Sequence, residues 1–241
     1  MREFPKISRF GEQAVLFEWN AEISHQTHIE VLTFQEWIEV NFSETIIEVV
    51  PAYASLVIYF KDKVDVNDWI LHFRTDNPKK EHSLTKSRLV HIPVCYDEEF
   101  GLDLHEMSSL LQLTPKEIIK KHTSAIYRVY FLGFLPGFPY LGGLDPKISI
   151  KRKSTPRSLV KEGAIGIAGK QTGIYPLDSP GGWNIIGKSP LIFFDTHKKK
   201  PNLLKAGDSI RFYSITKAEF DAIKNDLNKG GYQLKTENID A

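Results

Sequence analysis

Glycine, proline and aromatic residues are concentrated between Tyr130 and Pro190 at a density that the rest of the chain does not match. A run of helices is excluded there, because glycine and proline are the two weakest helix formers and recur every few residues. A flexible linker is excluded as well, since the interleaved aromatic and branched side chains need a core or a ligand to cover them. We therefore expect short strands joined by turns, a surface on which a rigid scaffold presents a site.

The composition is typical of a soluble globular protein, with 241 residues, 41% hydrophobic and 25% charged. A formal net charge of +1 creates no field that would attract nucleic acid or an anionic membrane, so neither is expected as a partner. Cys95 is the single cysteine, which excludes an internal disulfide and favours a reducing compartment. We see no secretory signal, membrane span or metal-ligand spacing, and a cytoplasmic location is the default expectation.

The order of the elements predicts two domains. Residues 1–80 are predicted to contain a strand, a helix, two strands and a second helix, in that order. This pattern indicates a small N-terminal domain of mixed helix and strand, in the α+β class. The polar segment Asn77–Lys86 is the expected linker, and residues 86–241 form the second, strand-rich domain. Asn20 is expected to cap the first helix, and Leu191–Phe194 to form a strand. The tail from Asn228 is expected to be frayed.

One helix start is well defined in the sequence. Thr114 is followed by Pro115 and, three residues on, by Glu117, which together form the pattern of a capping box. We expect this helix to extend to about Lys121.

Several standard active-site signatures are excluded by spacing. Gly163, Gly166 and Gly169 are three residues apart, which matches neither the dinucleotide fingerprint nor the phosphate loop. Gln171 follows Gly169-Lys170 where the phosphate loop requires serine or threonine. No G-x-S-x-G segment of a nucleophile elbow occurs either, so a self-contained hydrolase of the common types is not indicated.

The candidate site consists of polar and aromatic side chains set in these turns. In GKQTGIYP, flanking glycines allow a ligand to approach the backbone, while Lys170, Gln171 and Thr172 offer cationic, amide and hydroxyl donors suited to an oxyanion, a carboxylate or a phosphoryl group. In DSPGGWN, a tight turn over Pro180-Gly181-Gly182 could expose amide N–H groups. The further polar or amphipathic candidates are His122, Arg128, Arg157, Tyr175, Asp178, Ser179, Trp183 and Asn184.

The residues alone leave an alternative open. The same composition is expected of a barrel whose corners require glycine and whose interior is filled by aromatic rings, without any ligand.

Long motifs in this region resemble a known family. The segments HTSAIYRVYFLGFLPGFPYLGGLD, STPRSLV, GIAGKQTGIYPLDSPGGWNIIGKSP and LLKAGDSIRF are similar to the carboxyltransferase subdomain C and D family. EVVPAYASLVIYF, from Glu48 to Phe60, also resembles the family's N-terminal domain, so that the resemblance covers nearly the whole chain. Members include the B subunit of bacterial 5-oxoprolinase, the sporulation kinase inhibitor KipI, and proteins called allophanate hydrolase subunit 1. The resemblance implies a mainly β, cyclophilin-like barrel after the α+β N-terminal domain.

The resemblance also implies a function that depends on other chains. The first expectation is the B subunit of an ATP-dependent 5-oxoprolinase, which converts 5-oxo-L-proline to L-glutamate and is inactive alone. Its implied partners are the homologous barrel protein that forms the C subunit and a LamB/YcsF-type protein that forms the A subunit. ATP would be bound by the assembled complex, and no metal would be held by this chain. A KipI-like inhibitor of a histidine kinase and a carboxyltransferase component for urea-derived substrates are the alternatives.

Roles for the candidate residues follow from the first expectation. Lys170, Gln171 and Thr172 would stabilise the developing charge, and His122 or Asp178 would transfer a proton. An exposed patch of Phe134, Phe138 and Tyr140 would serve the KipI-like alternative. The substrate-binding set comprises Arg128, Phe138, Tyr140, Arg157, Thr172, Tyr175, Ser179, Gly181, Gly182, Trp183 and Asn184.

Overall fold

The computed structural model describes residues 5–20, 24–63, 65–75 and 86–240. The chain divides into two compact units, Met1–Thr85 with Ala241, and Lys86–Asp240. The predicted linker Asn77–Lys86 lies outside the described residues except for Lys86.

The first unit is a four-stranded antiparallel sheet with two helices. Its elements are β1 (Lys6–Arg9), β2 (Ala14–Glu18), α1 (His25–Asn41), β3 (Ile46–Pro51), β4 (Ser55–Phe60) and α2 (Val66–Thr75). The strand order is β1-β2-β4-β3, so Pro51 lies in an edge strand, where a missing N–H is tolerated. Phe17, Ile38 and Ile58 are among the buried residues that pack α1 onto the sheet.

The first helix begins later than predicted. Ser24, not Asn20, is its N-cap, and the Ser24 hydroxyl accepts a hydrogen bond from the N–H of Thr27 at 3.1 Å. Both residues are good capping types, so sequence preference could not choose between them. Strand β1 was not predicted, because its four residues carry little apolar periodicity.

The second unit contains the remaining strands and three helices. Its elements are β5 (Lys86–Cys95), α3 (Leu104–Leu111), α4 (Pro115–Ser124), β6 (Tyr127–Leu132), β7 (Pro139–Gly142), a 3₁₀ helix (Pro146–Ile148), β8 (Arg157–Val160), β9 (Ala164–Ala168), β10 (Gln171–Ile174), β11 (Ser179–Gly181), β12 (Asn184–Lys188), β13 (Ser209–Ile215), α5 (Lys217–Asn228) and β14 (Thr236–Asp240).

Seven of these strands form a closed barrel. Their order is β12-β9-β10-β7-β6-β13-β5, and the pairing of Lys188 with Cys95 joins β12 back to β5. All pairings are antiparallel except that of β13 with β5. The interior is packed mainly with aliphatic side chains, among them Ile92, Val129 and Ile167. The predicted fold class, an α+β N-terminal part followed by a mainly β barrel, is confirmed.

Three further predictions have clear outcomes. The capping box of α4 is confirmed, with the N–H of Glu117 donating to the Thr114 hydroxyl and the Glu117 carboxylate accepting from the N–H of Thr114. The prediction of a strand over Leu191–Phe194 is wrong, since the segment makes only an isolated bridge from Phe194 to Asn202. The prediction of a frayed tail is also wrong, because β14 pairs antiparallel with β5.

Candidate functional site

His122 and Thr172 lie inside the barrel rather than at a surface. The His122 ring is fully buried and stacks on Phe212. Its Nε2 lies 3.1 Å from the Thr172 hydroxyl, which itself donates to the Gly166 carbonyl at 2.9 Å. Because the single hydroxyl proton of Thr172 goes to Gly166, the His122 Nε2–H must donate to the Thr172 oxygen. Nδ1 is then unprotonated and accepts a hydrogen bond from the Tyr96 hydroxyl, 2.8 Å away. Burial lowers the pKa of His122 to about 3, so the ring is neutral near pH 7.

This network corrects the roles predicted for both residues. His122 has no exposed surface and no ring nitrogen left to exchange a proton with a substrate, so the proton-transfer role does not fit its position. The Thr172 hydroxyl is engaged on both sides and likewise cannot serve a surface ligand.

The aromatic residues of the motif form a second cluster on the outer face of the barrel. Phe138 is buried at its centre and meets Tyr175 and Trp183 nearly edge-on, with ring centroids 5.3 and 5.4 Å apart. Tyr140 lies 5.0 Å from Phe138 and stacks on Phe131 at 4.4 Å. The alternative in which the aromatic rings of this motif fill the barrel interior is therefore wrong, because they pack outside the sheet as a separate small core.

Glycine in two strands makes this outer packing possible. Gly166 in β9 and Gly173 in β10 are opposite each other, and their neighbours along each strand point into the barrel. A Cβ atom on Gly173 would lie 2.8 Å from the Phe138 ring, and one on Gly166 would lie 2.9 Å from the Trp183 Cβ. Of the two glycines predicted to let a ligand approach the backbone, Gly173 is covered by the Phe138 ring, whereas a Cβ atom on Gly169 would have no neighbour within 4 Å.

Asp103 organises the charged residues beside this cluster. Its carboxylate is 1% exposed and accepts both terminal nitrogens of Arg157, at 2.7 and 2.8 Å, and the N–H of Ile185 at 2.6 Å. Lys153 Nζ lies 2.9 Å from the same carboxylate and 2.6 Å from Glu106. Burial alone raises the pKa of Asp103, but the hydrogen bonds from Arg157, Ile185 and Lys153 outweigh it and hold the pKa below its usual value. Arg157, predicted to bind substrate, is instead committed to this ion pair.

The DSPGGWN segment is structural along most of its length. Ser179–Gly181 is strand β11, paired with β8, and not the predicted tight turn. A Cβ on Gly181 would lie 2.3 Å from the Tyr175 hydroxyl oxygen, so only glycine fits there. The Ser179 hydroxyl donates to the Pro180 carbonyl at 3.2 Å.

Two polar residues of this segment also bind the protein itself. Asp178, the other predicted proton-transfer group, is exposed, pairs with Lys161 at 2.8 Å and accepts the N–H of Glu162. The contact with Lys161, and to a smaller extent that with Glu162, lowers the pKa of the Asp178 carboxyl group. Asn184 is buried and donates to the carbonyls of Lys151 and Ile167.

The accessible candidates lie on β6, β7 and β10 and in the hairpin between β9 and β10. Lys170 is exposed at the tip of the β9–β10 hairpin and makes no hydrogen bond or ion pair with the described residues. Gln171 and Tyr140 are half-buried, and both alternate with residues of the barrel interior, so they face outward. Arg128 faces the same way from β6, between buried Tyr127 and Val129.

Sequence reasoning missed Asp103, Arg152, Lys153 and Tyr96. Arg152 lies over the Trp183 ring, with Cζ 5.9 Å from the ring centroid. Asp103 occupies the N-cap position of α3 but makes no side-chain capping bond. An aspartate before a helix is ordinarily explained by capping, so no local signal could have identified its contacts, which lie about 50 and 80 residues away.

Neither of two cavities in the described residues coincides with the predicted site. One, of about 450 Å³, is lined by residues of the first unit that include Phe42 and Trp69. The other, of about 390 Å³, is lined in part by Tyr96, Glu98 and His105. The accessible candidate residues lie instead on the outer face of the barrel.

Two other kinds of feature are absent from the described part of the chain. Among the described residues, no group of three or more His, Cys, Asp or Glu side chains is placed to hold a metal ion. Nor is any helix in the described ranges long and apolar enough to span a membrane.

Known proteins resemble this chain along most of its length. It is 38% identical to the 5-oxoprolinase B subunit of Bacillus subtilis (strain 168), over 92% of this chain and 98% of the relative. It is 39% identical to the 5-oxoprolinase B subunit of Haemophilus influenzae, over 86% and 96% of the two chains. Among solved structures, the K. lactis urea amidolyase matches 98% of this chain with a TM-score of 0.79. At 20% identity that likeness shows the fold alone, and this chain spans 16% of the amidolyase.

The match to a family extends over both units. Residues 5–204 match the family described as carboxyltransferase domain, subdomain C and D, in agreement with the motifs between His122 and Pro190. The chain belongs to this carboxyltransferase domain, subdomain C and D family.

Proposed function

We propose that this chain is the B subunit of a heteromeric, ATP-dependent 5-oxoprolinase that converts 5-oxo-L-proline to L-glutamate in the cytoplasm. The observation that carries the proposal is the nearly full-length similarity to two relatives that bear this name. The proposed partners are the homologous barrel protein that forms the C subunit and a LamB/YcsF-type protein that forms the A subunit. ATP is proposed to bind to the assembled complex.

The chemistry requires stabilisation of negative charge. A lactam opens with difficulty at neutral pH, and transfer of a phosphoryl group from ATP to the amide oxygen would activate the carbonyl carbon toward water. The charge that develops on oxygen is best stabilised by fixed donors in a site from which water is excluded. Lys170 is an exposed donor at the hairpin tip and Gln171 a half-buried donor on β10, the strand that pairs with the strand of Tyr140.

Proton transfer is proposed to come from a partner protein of the complex. Of the two candidates in this chain, His122 is buried, neutral and saturated with hydrogen bonds. Asp178 is ion-paired, and its pKa is lowered, which makes it a poor base. An outer face that carries donors and a half-buried tyrosine but no suitable base is what half of a shared site would contain.

Co-expression with the proposed partners tests the function. We expect 5-oxoproline-dependent ATP hydrolysis that disappears when this chain is omitted. Lys170→Ala is expected to reduce kcat/KM by about 10- to 100-fold, the range for loss of one charged donor. Lys199→Ala, in the exposed 198–200 cluster, is the matched control and should leave the rate unchanged. Activity that is independent of this chain would contradict the assignment.

One observation favours the KipI-like alternative. Phe134 is 64% exposed and has a φ of 68°, a strained backbone for a bulky residue, while its ring rests edge-on against Phe138. An aromatic ring held out in this way suits a protein contact. The chain should then slow autophosphorylation of a histidine kinase, and Phe134→Ala should relieve the effect; an unaffected kinase would exclude it.

The third alternative, a carboxyltransferase component for urea-derived substrates, has no comparable support. The likeness to the K. lactis amidolyase structure extends to the fold alone, and the sequence similarity to the urea amidolyase of Lachancea kluyveri, at 31% identity, covers 52% of this chain and 7% of that protein. No residue of the described site favours this alternative.

A further inference from the structure

Arg152 is the cation that lies directly on the aromatic cluster. Its guanidinium carbon is 5.9 Å from the centroid of the Trp183 ring. Its positive charge also acts on the hydroxyls of Tyr140 and Tyr175, opposing the rise in pKa that burial causes in both. Arg152 is therefore close to three of the aromatic side chains that form the outer face.

The backbone holds Arg152 in this place from both sides. The Lys151 carbonyl accepts a hydrogen bond from the Asn184 side chain at 2.9 Å, and the Lys153 N–H donates to the Gly182 carbonyl at 2.8 Å. Gly182 and Asn184 are the sequence neighbours of Trp183. The two hydrogen bonds therefore fix the backbone on both sides of Arg152 to the backbone segment that carries the Trp183 ring. The Lys153 side chain adds a third tie through the buried carboxylate of Asp103.

Charge pairing distinguishes Arg152 from two neighbouring cations, Arg157 and Lys153. Arg157 and Lys153 are neutralised by Asp103 and Glu106. Arg152 is exposed and forms no hydrogen bond or ion pair with any residue in the described part of the chain. A guanidinium stacked on an aromatic ring keeps its N–H fork available, and that fork matches the geometry of a carboxylate or phosphoryl group.

We infer that Arg152 is the residue that recognises the oxyanion of a ligand bound on the outer aromatic face. The inference rests on the proposed function and names the group that this face would bind. The oxyanion could be the carboxylate of the small acid substrate, whose ring would lie against the half-buried Tyr140, or a phosphoryl group of the nucleotide. Asp103 acts as a positioning residue, because it fixes Lys153 and the strand after Trp183.

The test uses the assembled complex and the variant Arg152→Ala. Because the side chain is exposed, the variant should fold normally. We expect KM to rise by about 10- to 100-fold for one of the two substrates, as for loss of a charged hydrogen-bond donor, with a smaller change in kcat. A rise for 5-oxoproline identifies the carboxylate, and a rise for ATP identifies the phosphoryl group. Arg152→Lys should recover only part of the loss, since it keeps the charge but not the fork.

Lys151→Ala provides the matched control. The Lys151 side chain is exposed and lies one residue from Arg152, so this variant also removes one positive charge. The hydrogen bond from Asn184 to the Lys151 backbone carbonyl is retained. Both KM values should stay near those of the wild type. If Arg152→Ala changes neither KM, or Lys151→Ala changes them equally, the inference is overturned. Failure of the proposed function is separate, because it would appear in the wild-type complex as absence of 5-oxoproline-dependent ATP hydrolysis.

Discussion

The absence of a Cβ atom at Gly173 determines how closely the aromatic cluster packs on the barrel. At Gly173 the hydrogen that replaces a side chain faces the Phe138 ring, and that ring is enclosed by Tyr175 and Trp183. The ring cannot move away without disturbing both neighbours. The backbone at Gly173 does not have a positive φ, so the requirement for glycine is steric and not conformational.

We predict that Gly173→Ala destabilises the second unit. The added Cβ would lie 2.8 Å from Phe138 Cζ and 3.0 Å from the Pro139 carbonyl oxygen. Overpacking of this kind costs about 1–3 kcal/mol of unfolding free energy, which urea denaturation would measure. Gly231→Ala is the control, because its nearest neighbour would be 3.9 Å away, and it should be neutral or slightly stabilising. Equal stabilities of the two variants would contradict the packing described.

The buried His122 ring predicts a pH dependence of stability. Its pKa is about 3 in the folded chain, below the ordinary value of 6.5 in the unfolded chain. Between these values the unfolded state binds the extra proton, so the contribution of this group to stability is lost as pH falls from about 6.5 toward 3. The slope contributed by one such group is at most about 1.4 kcal/mol per pH unit.

His122→Gln should flatten that dependence. Urea unfolding between pH 4.5 and 7 would measure the slope in the wild type, in this variant and in His105→Gln, which removes an exposed imidazole on α3. We expect His122→Gln to reduce the slope of unfolding free energy against pH, and His105→Gln to leave it as in the wild type. The same slope in all three proteins would show that the ring is protonated or accessible when folded.

At the scale of elements, β14 shows how pairing stabilises a segment of low intrinsic strand preference. It joins β5 over Thr236–Asp240, opposite Val90 to Lys86. The N–H of His91 donates to the Lys235 carbonyl at 3.0 Å. His91 and Lys235 therefore form a hydrogen-bonded pair, and such pairs recur at every second residue of an antiparallel ladder. The N–H of Glu237 accordingly points toward β5, and the N–H of Asn238 points away from it.

This alternation predicts different costs for proline at adjacent positions. Glu237→Pro should lower the free energy of unfolding by about 1–3 kcal/mol more than Asn238→Pro, because only the former removes a ladder hydrogen bond. Glu237→Ala accounts for the loss of the carboxylate contacts with His91 and Lys235. Chemical denaturation of the three variants measures the difference; equal costs for the two prolines would contradict the register.

At the scale of the whole molecule, the two units have separate cores. The buried cluster of the first unit contains residues from Val15 to Phe60. The three clusters of the second contain residues from Val90 to Phe220, and the closed barrel leaves few unpaired strand edges. Each unit therefore satisfies by itself the main requirement for independent folding.

We predict that residues 86–241 fold when produced alone. The isolated fragment should show a single cooperative urea transition and protection of barrel amides from hydrogen exchange, since its core residues are all retained. Gly173→Ala in the fragment should cost about the same as in the full chain. A fragment without a cooperative transition would show that its core depends on the first unit.

Local patterns account for the parts of the fold that were predicted correctly. The α4 capping box involves residues three apart, β2 lies in a short apolar run, and β6 alternates clearly enough to be recognised. The errors involve segments whose state depends on distant partners. Thr236–Asp240 is polar and becomes a strand only beside β5, and Ser179–Gly181 becomes one only beside β8.

The sequence by itself determined that Tyr130–Pro190 is strand and turn, that the chain has an α+β part before a barrel, and which family it belongs to. The first property follows from the backbone preferences of glycine and proline, whereas the barrel and the family follow from the resemblance of long motifs to known proteins. Only the tertiary structure decided that the motif's aromatic rings lie outside the barrel, that His122 is buried and neutral, and that Asp103 holds the segment carrying Arg152. Those facts depend on which strands pair and in which register, and contacts between residues tens of positions apart leave no local signal.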